Sequence, residues 1–157
     1  MNTSGPIYGG DTDSCGTGPL DAPNNVNLDA DGYEVIFRQP VNPYELRQVL
    51  KAAYDDPFSG YGADGDLCWS LASIRDWWAE PRRTLEEEVR RLRQESVQVR
   101  DPKYADYHAQ SRLFRWGDSL EHDLYPSLQA YGFFLDSGRP AKPGETLPDL
   151  HCTLQIK

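Results

Sequence analysis

Apolar residues fall at helical spacing through the middle of the chain, and short aromatic or β-branched runs flank them. Asn42-Pro43-Tyr44-Glu45 reads as a helix start: Asn as N-cap, Pro at the first helical position, Glu three residues after the cap. Leu46, Val49, Leu50 and Ala53 follow at i, i+3, i+4 and i+7. That stripe predicts an amphipathic helix facing a core and ending near Asp55-Asp56-Pro57. Upstream, Tyr33-Glu34-Val35-Ile36-Phe37-Arg38 predicts a strand that Gln39-Pro40 ends.

Beyond a glycine-bearing loop, Asp66 caps a second predicted helix reaching Ala79, with Leu67, Leu71, Ile74 and Trp78 on one face. Pro81 breaks it, and Thr84-Leu85-Glu86-Glu87 is a capping box for the next helix. Pairs such as Arg82–Glu86 and Glu87–Arg91 sit at i, i+4 and support a solvated face on that helix. A short helix is expected over residues 104–115. Asp118 or Ser119 then caps a helix carrying Leu120, Leu124, Leu128 and Tyr131, which Pro126 kinks or restarts and Gly132 ends. Residues 133–136 and 151–156 read as strands, joined by a loop holding three prolines and two glycines. The expected fold is a small α+β domain, about four helices packed on a small antiparallel sheet.

Charge divides the chain further. The net charge is −9, yet residues 1–31 hold five Asp and no Lys or Arg, so over half of the excess sits there. That segment is rich in Gly, Asp, Asn, Thr and Pro, and reads as a flexible acidic arm before a single globular domain over residues 32–157. Within it, Asn27-x-Asp29-x-Asp31-Gly32 matches the first half of a calcium loop, but Arg38 stands at the twelfth position. An Asx-rich turn is the expected structure. The mean hydropathy of −0.70 and the lack of a long apolar run leave no membrane span. The first residues carry no secretory signal pattern, and three cysteines without CxxC spacing argue against a disulfide framework or structural zinc. A reduced, cytoplasmic setting is expected. The negative net charge disfavours direct binding of nucleic acid and favours a partner protein with a basic surface.

Chemistry-bearing motifs are sparse. Cys68 stands where the second helix is predicted to begin, a position that lowers a thiol pKa. The run Cys68-Trp69-Ser70-Leu71-Ala72 resembles the nucleophile helix of papain-like cysteine hydrolases, over five residues only. The resemblance implies a histidine base on a later strand, and His151 is the residue placed for it. The glutamine that precedes the nucleophile in that family is absent, and no Asn or Asp follows His151 to orient it. Asp64 and Asp66 beside Cys68 oppose its ionisation, so a packed, inert thiol is the alternative. His108 and His122 lie beside acids without i, i+4 ligand spacing and read as surface histidines; no metal or cofactor is expected.

Four tryptophans and nine tyrosines are a heavy aromatic load for 157 residues. Trp77 and Trp78 are adjacent, so a helix turns them about 100° apart, and one of them suits an interface. The leading expectation is a non-enzymatic protein that binds another protein, as an inhibitor of the immunity or phage anti-defence type or as an accessory subunit. Its contact residues are taken as Asp55, Asp56, Tyr61, Asp64, Asp66, Trp77 and Trp116. The alternatives are a cysteine hydrolase or transferase using Cys68 and His151, and a structural or assembly component whose arm orders against neighbours.

Overall fold

A computed structural model describes residues 2–29, 31–96, 117 and 120–151 of the chain. Along it run β1 (Tyr8–Gly9), α1 (Thr17–Asp21), β2 (Val26–Leu28), β3 (Glu34–Ile36), α2 (Pro43–Asp55) and β4 (Tyr61–Gly62). Then follow α3 (Gly65–Cys68), α4 (Leu71–Ala79), α5 (Pro81–Ser96), a π-helical turn (Leu120–Leu124) and α6 (Tyr125–Ser137). The fold is a small α+β domain. Its strands form two separate two-stranded antiparallel sheets instead of one: β1 with β4, and the hairpin β2–β3 in register Val26↔Ile36, Asn27↔Val35 and Leu28↔Glu34.

The acidic leading segment, read as a flexible arm, packs into the body. It supplies β1, α1 and β2, and buries Thr3, Ser4, Thr12, Asp13 and Asn25. Side chains short enough to bond the backbone make this order possible. Asn2 Oδ1 accepts from the amides of Gly9 (2.9 Å) and Ile36 (2.8 Å), and its Nδ2 donates to the Gly9 carbonyl (2.6 Å). Composition alone misreads such a segment, because few apolar groups, Ala22 and Val26 among them, enter the core while hydrogen bonds hold the rest. The calcium-like residues form the hairpin turn: Asp29 Oδ1 accepts from the amides of Asp31 and Tyr33, both at 3.1 Å.

Two apolar clusters hold the molecule. One gathers Ala22, Val26, Ile36, Val49 and Ala52 between the hairpin, α1 and α2. The other gathers Ile74, Trp77, Trp78, Val89, Leu124, Leu128 and Leu150 among the later helices. Phe37, just after β3, belongs to the second cluster and so links the two.

Several predicted boundaries shift. The second helix is not continuous, because Trp69 is extended and Ser70 caps α4 in a reciprocal box with Ser73. The third helix starts at Pro81, ahead of the capping box at Thr84. Pro at a first turn costs no hydrogen bond, so it opens this helix as readily as it ends the previous one. The strand expected at residues 133–136 is the last turn of α6, which ends at Gly138 in the left-handed conformation (φ 70°). Gly132, expected as the terminator, lies buried inside α6, where a Cβ would stand 2.8 Å from Leu71 Cδ1. Gly132 therefore does not end the helix, and its lack of a side chain leaves room for the end of the Leu71 side chain. The expected helix over residues 104–115, the cap at Asp118 or Ser119 and the strand over residues 151–156 lie outside the described residues. The proline-rich loop after α6 crosses back as an irregular strap. Arg75 Nε donates to the Asp149 carbonyl (2.9 Å), Gln129 Nε2 to the Pro148 carbonyl (2.8 Å), and Leu150 is buried beneath.

Candidate functional site

Most of the contact residues expected from the sequence serve the fold. Trp77 is 5% exposed, and its indole N–H donates to the Asn2 carbonyl at 3.2 Å. The interface reading of Trp77 is therefore corrected: both rings are buried because the leading segment covers the one that the helices leave open. Asp56 is buried too. Its carboxylate accepts from the amides of Asp13 (3.1 Å), Phe58 (3.3 Å) and Gly60 (2.6 Å), and so pins the loop after α2. Tyr61 is half-buried, and its hydroxyl donates to Glu34 Oε2 at 2.7 Å. Burial, then the Glu34 carboxylate, push its pKa up.

Asp55, Asp64 and Asp66 are exposed, though each is engaged. Asp55 accepts from Lys51 (2.7 Å), Asp64 from the Tyr8 hydroxyl and Asp66 from the Tyr131 hydroxyl, both at 2.8 Å. The bond from Asp64 raises the pKa of Tyr8, while burial and then Asp66 raise that of Tyr131. Trp116 lies outside the described residues.

Cys68 is exposed, but it is the last residue of a four-residue helix and not the first residue of a long one. The dipole argument for its activation therefore lapses. His151 stacks on Tyr125 with ring centroids 5.1 Å apart and meets the edge of Trp78 at 6.0 Å. No hydrogen bond found in the structure joins it to Cys68. Among the described residues no group of three or more His, Cys, Asp or Glu is arranged to hold a metal, and no helix is long and apolar enough to cross a membrane.

What the sequence misplaced is the apolar face of α2. The helix starts as predicted: the amides of Tyr44 and Glu45 donate to Asn42 Oδ1 at 3.0 and 2.9 Å. Its buried residues, however, are Glu45, Val49 and Ala52. Glu45 goes inward because its Oε2 accepts from the Val41 amide (3.1 Å), Arg38 Nη1 (2.9 Å) and Asn25 Nδ2 (3.4 Å). Although burial opposes ionisation, these donors and the Arg38 charge hold its pKa below the usual carboxylate range. With that register fixed, Leu46 (40% exposed), Leu50 (58%) and Tyr54 (88%) run along the outside at i, i+4 and i+8. Phe58, 71% exposed, follows in the next loop. Lys51 stands beside the strip, matched by Asp21 (2.6 Å) and Asp55 (2.7 Å). The available signal was surplus: α2 carries apolar residues around more of its circumference than one buried face can use.

Comparison of the chain with protein-family models, with curated proteins and with solved structures finds no match.

Proposed function

We propose that this chain acts by binding another protein, as an inhibitor of the immunity or phage anti-defence type or as an accessory subunit of a larger complex. The outer strip Leu46, Leu50, Tyr54 and Phe58 supports this reading most directly. Large apolar side chains left in water along one helix face are the usual mark of a contact surface, and Tyr is a favoured anchor. The occupant that fits is a folded partner with an apolar groove bordered by basic residues. Its basic character rests on the net charge of −9 and on the exposed Asp11, Asp64 and Asp66, which steer association with a positive surface.

The test compares the wild-type chain with a Leu50→Asp, Tyr54→Ala double variant in capture from the native host at low salt. The wild type should retain a stoichiometric partner, and the variant should bind it at least about tenfold more weakly, roughly 1.4 kcal/mol. Leu67→Asp, at an exposed position on α3, should bind like the wild type. The association rate should fall as salt rises. Absence of a stoichiometric partner, or equal capture by the double variant, removes the reading. Self-association that Leu50→Asp abolishes would assign the strip to a second copy and also overturn it.

A further inference from the structure

Three buried acids lie together beneath the leading segment. Glu34, in β3, has no exposed surface, and Asp13 and Asp56 are buried near it. Among the described residues no Lys, Arg or His pairs with any of the three. Asp13 Oδ1 accepts from the Cys15 amide (2.9 Å), while Asp56 takes the three amides described above. Glu34 is the most enclosed: the α1 backbone lies directly on it, so that a Cβ at Gly18 would collide with the carboxyl group. Like charges held together out of water, with no cation between them, are relieved when one of them keeps its proton. The contacts of Glu34 suit a neutral acid, with Oε1 accepting from the Gly18 amide (2.6 Å) and Oε2 facing the Tyr61 hydroxyl (2.7 Å).

The same acids hold residues 10–18 to the body. The Asp13 amide donates to Asp56 (3.1 Å), the Gly18 amide to Glu34, and the Glu34 amide to Thr12 Oγ1 (2.7 Å). The Gly10 amide adds one bond to the Gly60 carbonyl (2.7 Å). None of residues 10–18 belongs to either apolar cluster, so this stretch opens at less cost than the helices do. The other titratable groups of the surrounding elements are engaged elsewhere or stand in water. In α1, Asp21 pairs with Lys51 (2.6 Å), and in β1 the Tyr8 hydroxyl donates to Asp64 (2.8 Å). Asp11 and Cys15 are exposed, and β2 carries no titratable side chain.

We propose that residues 10–18 form a latch governed by the proton on Glu34, closed over it while it is neutral and opening, with both apolar clusters intact, once it ionises. Closure is favoured fully at low pH, and that preference is lost as pH rises through the value Glu34 has in the closed form. The inference does not rest on the α2 strip, and either can fail without the other.

Amide hydrogen exchange of the whole chain, corrected for the intrinsic rate at each pH, reads the latch between pH 5 and pH 8. Protection of the Gly18 and Asp13 amides should fall by about three- to tenfold per pH unit, ten being the limit for one proton. Opening of a short stretch exposes little surface, so their exchange should not respond to low urea, whereas that of Ile74, inside the larger cluster, should. Glu34→Gln is neutral at every pH and keeps both contacts, so its Gly18 protection should stay level. Asp13→Asn keeps the acceptor for Cys15 but removes one facing charge; its fall should end at lower pH than in the wild type. The carboxyl carbon shift of Glu34 should titrate above the ordinary value of about 4.3. Titration at or below that value, the same pH profile in the wild type and Glu34→Gln, or a urea response of Gly18 equal to that of Ile74 overturns the proposal.

Discussion

Glu34 has no exposed surface, and its two carboxylate oxygens take the Gly18 amide (2.6 Å) and the Tyr61 hydroxyl (2.7 Å). Burial lifts its pKa; these two donors work against that, and the nearby charges of Asp13 and Asp56 add to it. A folded pKa above the unfolded one means that the native state holds a proton longer. Glu34 therefore contributes stability that is fully present below its unfolded value and is lost as pH rises through its folded value. Urea midpoints should fall from pH 5 to pH 7 more steeply in the wild type than in Glu34→Gln. Parallel profiles would remove Glu34 as the cause. Glu45 works in the opposite sense. Its lowered pKa makes its contribution present at neutral pH and lost as pH falls through the folded value. Glu145, held down to about 2 by Arg139 and the Lys142 amide, follows the same sign at the surface.

Among elements, α4 and α6 carry the larger core, and their ends show how local rules and packing divide the work. Ser70 Oγ accepts from the Ser73 amide (3.2 Å), and Ser73 Oγ accepts from the Ser70 amide (2.8 Å). Ser70→Ala should cost about 1 kcal/mol in chemical denaturation, the usual worth of an N-cap. Ile74, fully buried at the centre of the same helix, should cost about 2–5 kcal/mol as Ile74→Ala. Gly132→Ala gains helix propensity of about 1 kcal/mol, but its Cβ meets Leu71 at 2.8 Å. That contact is the free end of a flexible, half-buried side chain that can turn aside, so the propensity term should win, leaving the variant at least as stable as the wild type by the same measurement. A loss of stability would mean that Leu71 is held in place between α4 and α6.

For the whole molecule, the leading segment is the decisive piece. It closes one side of Trp77, pairs β1 with β4 and donates from the Thr3 amide to the Ile36 carbonyl at 2.8 Å. A chain lacking residues 1–13 should show red-shifted tryptophan emission and lose a cooperative unfolding transition. Retention of both would mean that the two apolar clusters suffice. Because this segment orders within one chain, assembly with neighbours is not needed to fold it.

Local chemistry was legible in the residues themselves. The cap and span of α2, the strand at Glu34–Ile36, the Asx turn at Asp29 and the irregular strap after α6 all follow from residue types within a few positions of one another. Caps, turns and β-branched runs act over distances that a short window contains. The order of residues 2–29, the burial of Trp77 and the outward turn of Leu46 and Leu50 were not legible in that way. The first two depend on distant partners, as Trp77 on Asn2 shows; the third depends on the burial of Glu45, which Val41 and Arg38 nearby and Asn25, 20 positions away, hold in place. Sequence by itself set the helical character of α2, α4 and α5 and that the chain is acidic. Only the tertiary arrangement decided which face of α2 meets water. Three hydrogen bonds to a buried carboxylate outweighed the leucines that the helical spacing had assigned to the core.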